Sequence, residues 1–138
     1  MAETLRLRIV TPERQLLDEA VDEVTAPGTV GEFGVLPNHI TFLSSLQPGL
    51  LSYKRGGRTY LLAIGGGFAE VVDNVMTVLA DSAEFAEEIN VEQTRAALRE
   101  AEEHLKTLAV TDPAFAEAEV ARRLAQVRLE VAGKATAH

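Results

Sequence analysis

The hydrophobic pattern of this chain changes period once, near Glu88, and that change constrains the fold more than any other feature. Before it, apolar residues recur at every second position. Leu5, Leu7 and Ile9 alternate with Arg6 and Arg8, as in a strand with one buried face. Further β-rich runs follow at Val21–Thr25, Leu50–Tyr53, Thr59–Ile64, Phe68–Val72 and Val75–Ala80. Turn chemistry at Pro27-Gly28, Pro48-Gly49, Gly56-Gly57 and Asp73-Asn74 is expected to separate them. Strands punctuated this often predict an antiparallel sandwich or barrel. No helical stretch interrupts them, which argues against a parallel doubly wound sheet.

Beyond Glu88 the period is helical. Asn90 and Gln93 have the spacing of a capping box, and Thr94, Leu98, Ala101, Leu105 and Leu108 then recur at alternating steps of four and three. Asp112-Pro113 predicts a second helix start, with Val120, Leu124, Val127 and Val131 as its seam, Ala114, Ala116, Ala118, Ala121 and Ala125 small enough for the two helices to approach closely, and Gly133 as its stop. A connection of only Ala109 to Asp112 makes the two helices antiparallel neighbours. The fold class is therefore α+β: an N-terminal antiparallel β-sandwich over residues 1–86, then a two-helix hairpin over residues 87–138. Burying a Val or Leu contributes roughly 1.5–3 kcal/mol, and ordering each residue costs about as much. Seams this narrow leave the hairpin marginal alone, so it is expected to be a docked, detachable element.

Charge and motifs exclude several functions. The net charge of −8 argues against a nucleic-acid partner and against direct adhesion to an anionic membrane. Apolar runs such as Tyr60–Ile64 fall far short of the ~20 residues a membrane helix needs, and the start of the chain has no signal or transit pattern. Any membrane association should therefore run through another protein. There is no cysteine, and His39, His104 and His138 form no metal-like cluster. No nucleophile elbow or triad spacing is present, so no catalytic residues are assigned and no enzyme is expected. The segment from Gly28 to Gly34 is glycine-rich, but Pro37 disfavours the helix that a phosphate loop requires. It is expected to be a shaped surface loop with several positive-φ positions. Gly65-Gly66-Gly67 reads as a bulge or a close backbone approach. Arg95, Arg99, Arg122, Arg123 and Arg128 read as helix-face charges pairing with Glu92, Glu102, Glu103 and Glu119.

Several stretches taken together resemble the epsilon subunit of bacterial and plastid F-type ATP synthases over essentially the whole chain. They are Gly31-Glu32-Phe33-Gly34-Val35-Leu36-Pro37-Asn38-His39, Leu46-Gln47-Pro48-Gly49-Leu50, Gly66-Gly67-Phe68-Ala69-Glu70-Val71, and Val78-Leu79-Ala80-Asp81 with Ala83-Glu84. The resemblance implies a sandwich of about ten strands and a hairpin. It implies a non-catalytic rotor subunit linking the gamma subunit to the ring of c subunits, coupling proton flow to ATP synthesis. It further implies that the hairpin, when extended, meets the catalytic alpha and beta subunits and restrains ATP hydrolysis. Val30, Glu32, Phe33 and His39 are the expected c-ring contact. Some family members hold ATP through a motif that Val91-Glu92-Gln93-Thr94-Arg95-Ala96 matches only at Arg95 and Ala96. Glu92, Arg95, Ala96, Arg123 and Arg128 are accordingly the candidates for nucleotide, with no resident cofactor and at most weak regulatory ATP expected. The implied location is peripheral, on the cytoplasmic face of the bacterial membrane, with the plastid stromal face as the other setting. The alternative reading is a free-standing β-sandwich binding module with a helical dimerisation hairpin.

Overall fold

A computed structural model describes residues 3–136. Strands β1 (Leu5–Val10), β2 (Gln15–Val21), β3 (Glu23–Gly28), β4 (Gly31–Val35), β5 (Phe42–Arg55), β6 (Arg58–Val72), β7 (Val75–Ala80) and β8 (Ala83–Phe85) come first. A 3-10 turn, Ala86–Glu88, and two helices, α1 (Val91–Thr107) and α2 (Pro113–Thr136), follow. The chain divides into two compact units, one ending at Phe85 and the other beginning at Ala86.

In the first unit the strands bond in the order β2-β1-β7-β6-β5-β3-β4, with β8 also on β6. All neighbours are antiparallel except β1 and β7, which run parallel from Arg6 beside Val75 to Val10 beside Leu79. The described residues hold eight strands rather than about ten: the turn expected at Pro48-Gly49 is a kink, and the bulge and close backbone approach expected at Gly65-Gly66-Gly67 are present within a single strand. Pro48-Gly49 lies inside β5, and the three glycines lie inside β6. Leu46 faces Gly67 and Pro48 faces Gly65, so Gln47 and Gly66 drop out of register. The buried parity switches at this point: Leu46 gives way to Leu51 and Tyr53, and Leu62 and Ile64 give way to Ala69 and Val71. A one-residue slip moves every side chain to the other face of a strand, so the kink keeps the apolar side inward as the sheet folds over. The first half of β5 lies with the second half of β6, β7, β1 and β2. The other halves lie with β8 and β3, and β3 carries β4 on its far edge. One core fills the space between, with Leu5, Leu7, Ile9, Leu51, Leu62, Ile64 and Met76 essentially without solvent contact.

The glycines that make the kink hold φ of 103° at Gly66 and 136° at Gly67. The expected two-residue turns occur at Gly56-Gly57 and Asp73-Asn74, with positive φ at all four residues, as tight hairpins require. Two expectations are corrected. The run Val21–Thr25 is split at Asp22, a corner whose N–H donates to the Lys54 carbonyl at 2.7 Å and whose carboxylate accepts from the Gly56 N–H at 3.0 Å. The segment expected to be a loop from Gly28 to Gly34 is the end of β3, a turn at Thr29-Val30, and β4. Only Gly31 within it has positive φ, because Phe33 and Val35 alternate with Glu32 and Gly34 as a short strand does.

In the second unit Asn90 caps α1, its Oδ1 accepting from the Gln93 N–H at 3.0 Å. Thr94 is buried, with its hydroxyl donating to the Asn90 carbonyl at 2.7 Å, and Ala101 is buried. Leu98, Leu105 and Leu108 are half-buried, so the expected seam of α1 is present. Leu108 is already the C-cap, which makes the connection one residue longer than expected, and Asp112 starts α2 by accepting from the Ala114 N–H at 2.9 Å. The helices pack on each other. The seam of α2 needs correction. Val127 and Val131 are buried and Leu124 is half-buried, but Val120 is 61% exposed; of the alanines expected at the close approach, Ala118 and Ala125 are buried and form a line at steps of seven with Ala132, whereas Ala116 and Ala121 are exposed. Small side chains along that line let the two helices approach closely. Gly133 does not stop the helix, which runs on to Thr136. A helical glycine costs only about 1 kcal/mol, which the surrounding turns of α2 tolerate. His138 lies outside the described residues.

Candidate functional site

Exposed apolar side chains of the sandwich gather on the β3–β4 tip, on the loop before β5 and on one outer sheet face. Val30, in the tip, is 99% exposed. Glu32 is exposed on β4, and strand alternation turns Phe33 to the opposite side. There Phe33 is half-buried and meets Phe42 edge-on at 5.1 Å, while His39 meets the same Phe42 edge-on at 5.8 Å. The fold thus joins Phe33 and His39 through Phe42 and leaves Val30 and Glu32 facing solvent. Sequence reasoning missed Phe42, as well as Leu36 and Ile40, which flank His39 and are exposed. Their signal was available: apolar residues in a short loop around Pro37-Asn38, where no strand or helix period accounts for them.

That loop is tightly built. The His39 N–H donates to the Leu36 carbonyl at 3.1 Å. The His39 ring places Nδ1 2.8 Å from the Ile40 carbonyl, a contact in which Nδ1 carries the proton. Asn38 adopts φ of 65°.

On the sheet face, Phe68 stands directly opposite Leu79, and Leu43 projects nearby on β5. All three are more than half exposed. Glu70 and Thr77 pair beside them, and Arg6 grips Asp18 at 2.6 Å farther along the same sheet. This apolar face was invisible in the strand pattern, where Phe68 and Leu79 read as ordinary strand residues.

In the hairpin, Glu92, Arg95 and Ala96 share the first turns of α1, all exposed. Arg123 and Arg128 are five residues apart on α2, about 140° around the helix, and so diverge from each other. Arg122 is committed locally. Its Nε donates to Glu119 at 3.1 Å, a second nitrogen binds the same carboxylate, and a third reaches Gln126 at 3.0 Å. The hydrogen bond from Arg122 holds the Glu119 carboxyl below the usual carboxylate range, against a smaller opposing effect of desolvation.

Comparisons with known proteins agree along the whole length. Residues 4–86 match the family described as ATP synthase, Delta/Epsilon chain, beta-sandwich domain, and residues 87–133 match its long alpha-helix domain. The ATP synthase epsilon chain of Geobacter metallireducens is 48% identical over 136 residues, covering 99% of each chain. That of Nitratidesulfovibrio vulgaris is 50% identical over 130 residues, covering 94% of this chain and 97% of the relative. Among solved structures, a chain of the Euglena gracilis mitochondrial ATP synthase, in an assembly described as OSCP/F1/c-ring, superposes with a TM-score of 0.79 at 29% identity, covering 100% of this chain and 83% of that one. A chain of the Tetrahymena thermophila mitochondrial ATP synthase, in an assembly described as central stalk/c-ring, shares the fold at 17% identity and a TM-score of 0.64, covering 95% of each chain. With both halves matched in order and close relatives spanning nearly every residue, the chain belongs to the ATP synthase delta/epsilon family.

Proposed function

We propose that the sandwich of this rotor subunit binds a gamma subunit and a c ring, and that the hairpin restrains ATP hydrolysis. The family role is non-catalytic: a central-stalk component. The observation that carries the reading is the outward apolar row of Phe68 opposite Leu79, with Leu43 beside it. A folded domain that leaves large apolar groups in register on one face has an interface there, since covering them removes apolar surface from water at about 25 cal/mol per Å². This face suits the gamma subunit. The exposed Val30, Leu36 and Ile40 with the Glu32 carboxylate suit the polar loops of a c ring, where an acidic group selects basic partners and apolar neighbours provide the contact area.

Among the described residues no helix is long and apolar enough to cross a membrane, which fits a peripheral position reached through partner subunits. The cytoplasmic face is the proposed side. Any ATP held by the hairpin would be bound weakly. Arg95 is the favoured phosphate contact, but Arg123 and Arg128 diverge around α2, and the acidic Glu92, Glu102 and Glu103 oppose a polyanion. Gel filtration with a purified gamma subunit tests the main reading. A stable one-to-one complex is expected, disrupted by Phe68→Asp combined with Leu79→Asp. Failure of the unaltered chain to bind gamma would refute it.

A further inference from the structure

The side chain of Asn74 ties together stretches that are distant in sequence. Asn74 lies in the turn between β6 and β7 at φ of 64°, a left-handed conformation that asparagine tolerates better than most residues. Its Oδ1 accepts from the Asn38 N–H at 2.7 Å, and its Nδ2 donates to the Thr4 carbonyl at 2.9 Å. Its own carbonyl accepts from the Arg6 N–H at 3.1 Å. Asn38 is also left-handed, and its side chain donates to Glu3 at 3.3 Å. The turn itself does not require these contacts. The equivalent bend between β5 and β6 is made by Gly56-Gly57, with no side chain. What the Asn74 amide adds is a hold on the 36–41 segment, which has no strand partner of its own and carries the exposed Leu36 and Ile40.

We propose that Asn74 is a positioning residue for the docking loop. By pinning the Asn38 amide to the start of β1, it keeps Leu36, His39 and Ile40 in one presentation, so the loop meets its partner already ordered. This rests on the reading of that loop as part of the c-ring contact. Asn74→Gly is the informative variant, because glycine accepts the positive φ and only the amide is lost. The full chain, in complex with gamma, would be titrated against detergent-solubilised c ring, with Ile40→Asp as a parallel variant and hydrogen exchange followed at the Asn38 amide. Asn74→Gly should speed exchange at Asn38 and weaken c-ring binding on the order of tenfold, while gamma binding stays unchanged. If Ile40→Asp weakens c-ring binding and Asn74→Gly does not, the positioning role is wrong and the loop reading stands. If neither variant weakens it, the loop reading fails and this proposal fails with it. Parallel loss of gamma binding in Asn74→Gly would mark Asn74 as a folding residue only and overturn the proposal.

Discussion

Gly67 lies so close to Leu79 that a Cβ placed on it would sit 2.1 Å from the Leu79 carbonyl oxygen. No side-chain rotation relieves that contact, because both partners are backbone, and φ of 136° excludes other residues independently. Gly67→Ala should cost more than about 3 kcal/mol, read as a lower urea midpoint. Gly34→Ala is the control. Its nearest atom is 3.9 Å away, and the change should stay within about 0.5 kcal/mol.

The Arg122–Glu119 pair gives α2 a dependence on acid. Because the Glu119 carboxyl titrates below its ordinary range when folded, its contribution is fully present above its unfolded value and is lost as pH falls through the depressed folded one. Helicity followed from neutral to acid pH should fall less over that window in Glu119→Gln. An unshifted carboxyl titration by NMR would contradict the pairing.

The corrected seam of α2 makes a paired forecast. Val120→Gln changes an exposed position and should leave hairpin helicity unaltered, whereas Ala125→Leu must force volume into a site only 3% exposed. The second change should cost about 1–3 kcal/mol, measured by thermal loss of helical signal. The reverse order would restore Val120 to the inside.

Charge at the β4 edge should affect coupling without affecting folding. Glu32 is exposed and makes no contribution to the core, so Glu32→Lys should leave the melting temperature unchanged. In membranes carrying the assembled complex it should lower ATP-driven proton pumping by a few-fold and make assembly more sensitive to salt. Unchanged pumping would remove Glu32 from the contact.

Truncation after Glu88 removes both helices and leaves β1 to β8 intact. The shortened chain should fold, bind gamma and support ATP synthesis, while ATP hydrolysis by the complex rises. Failure to assemble would make the hairpin structural. Hydrolysis as restrained as with the full chain would place regulation elsewhere.

Period alone made the two-part division legible, because burial on one face imposes it directly: Leu5, Leu7 and Ile9 point inward together, as do Thr94 and Ala101 one heptad apart. Where the sequence misled, a residue's chemistry had more than one structural use. Pro48-Gly49 serves a kink as well as it serves a turn, and β2 has no clear strand period in the sequence because Asp18 and Glu19 separate its inward Leu17 and Val21. Val120 is apolar at the seam spacing but lies outside, while Ala118 and Ala125, legible in the sequence as small residues for a close approach, are inside. The outward Phe68 could not be told from an inward strand residue without knowing that the parity of β6 switches at Gly66, and Leu79 stands outward opposite it. Local chemistry does not encode contacts such as Asn38 to Asn74, which need the fold before the two residues are neighbours.

β5 and β6 each run unbroken through both layers of the sandwich, paired with each other from Phe42 beside Val71 to Arg55 beside Arg58. This gives the domain a particular response to force. A load applied to one layer is carried to the other along two covalent backbones that are hydrogen-bonded to each other over their length. Sliding one layer past the other would strain both continuous strands at the kink. On the proposed reading, a subunit that turns between a ring and a shaft draws stiffness from this strand continuity, which the glycine kink in β6 preserves by bending the sheet over without cutting the strand.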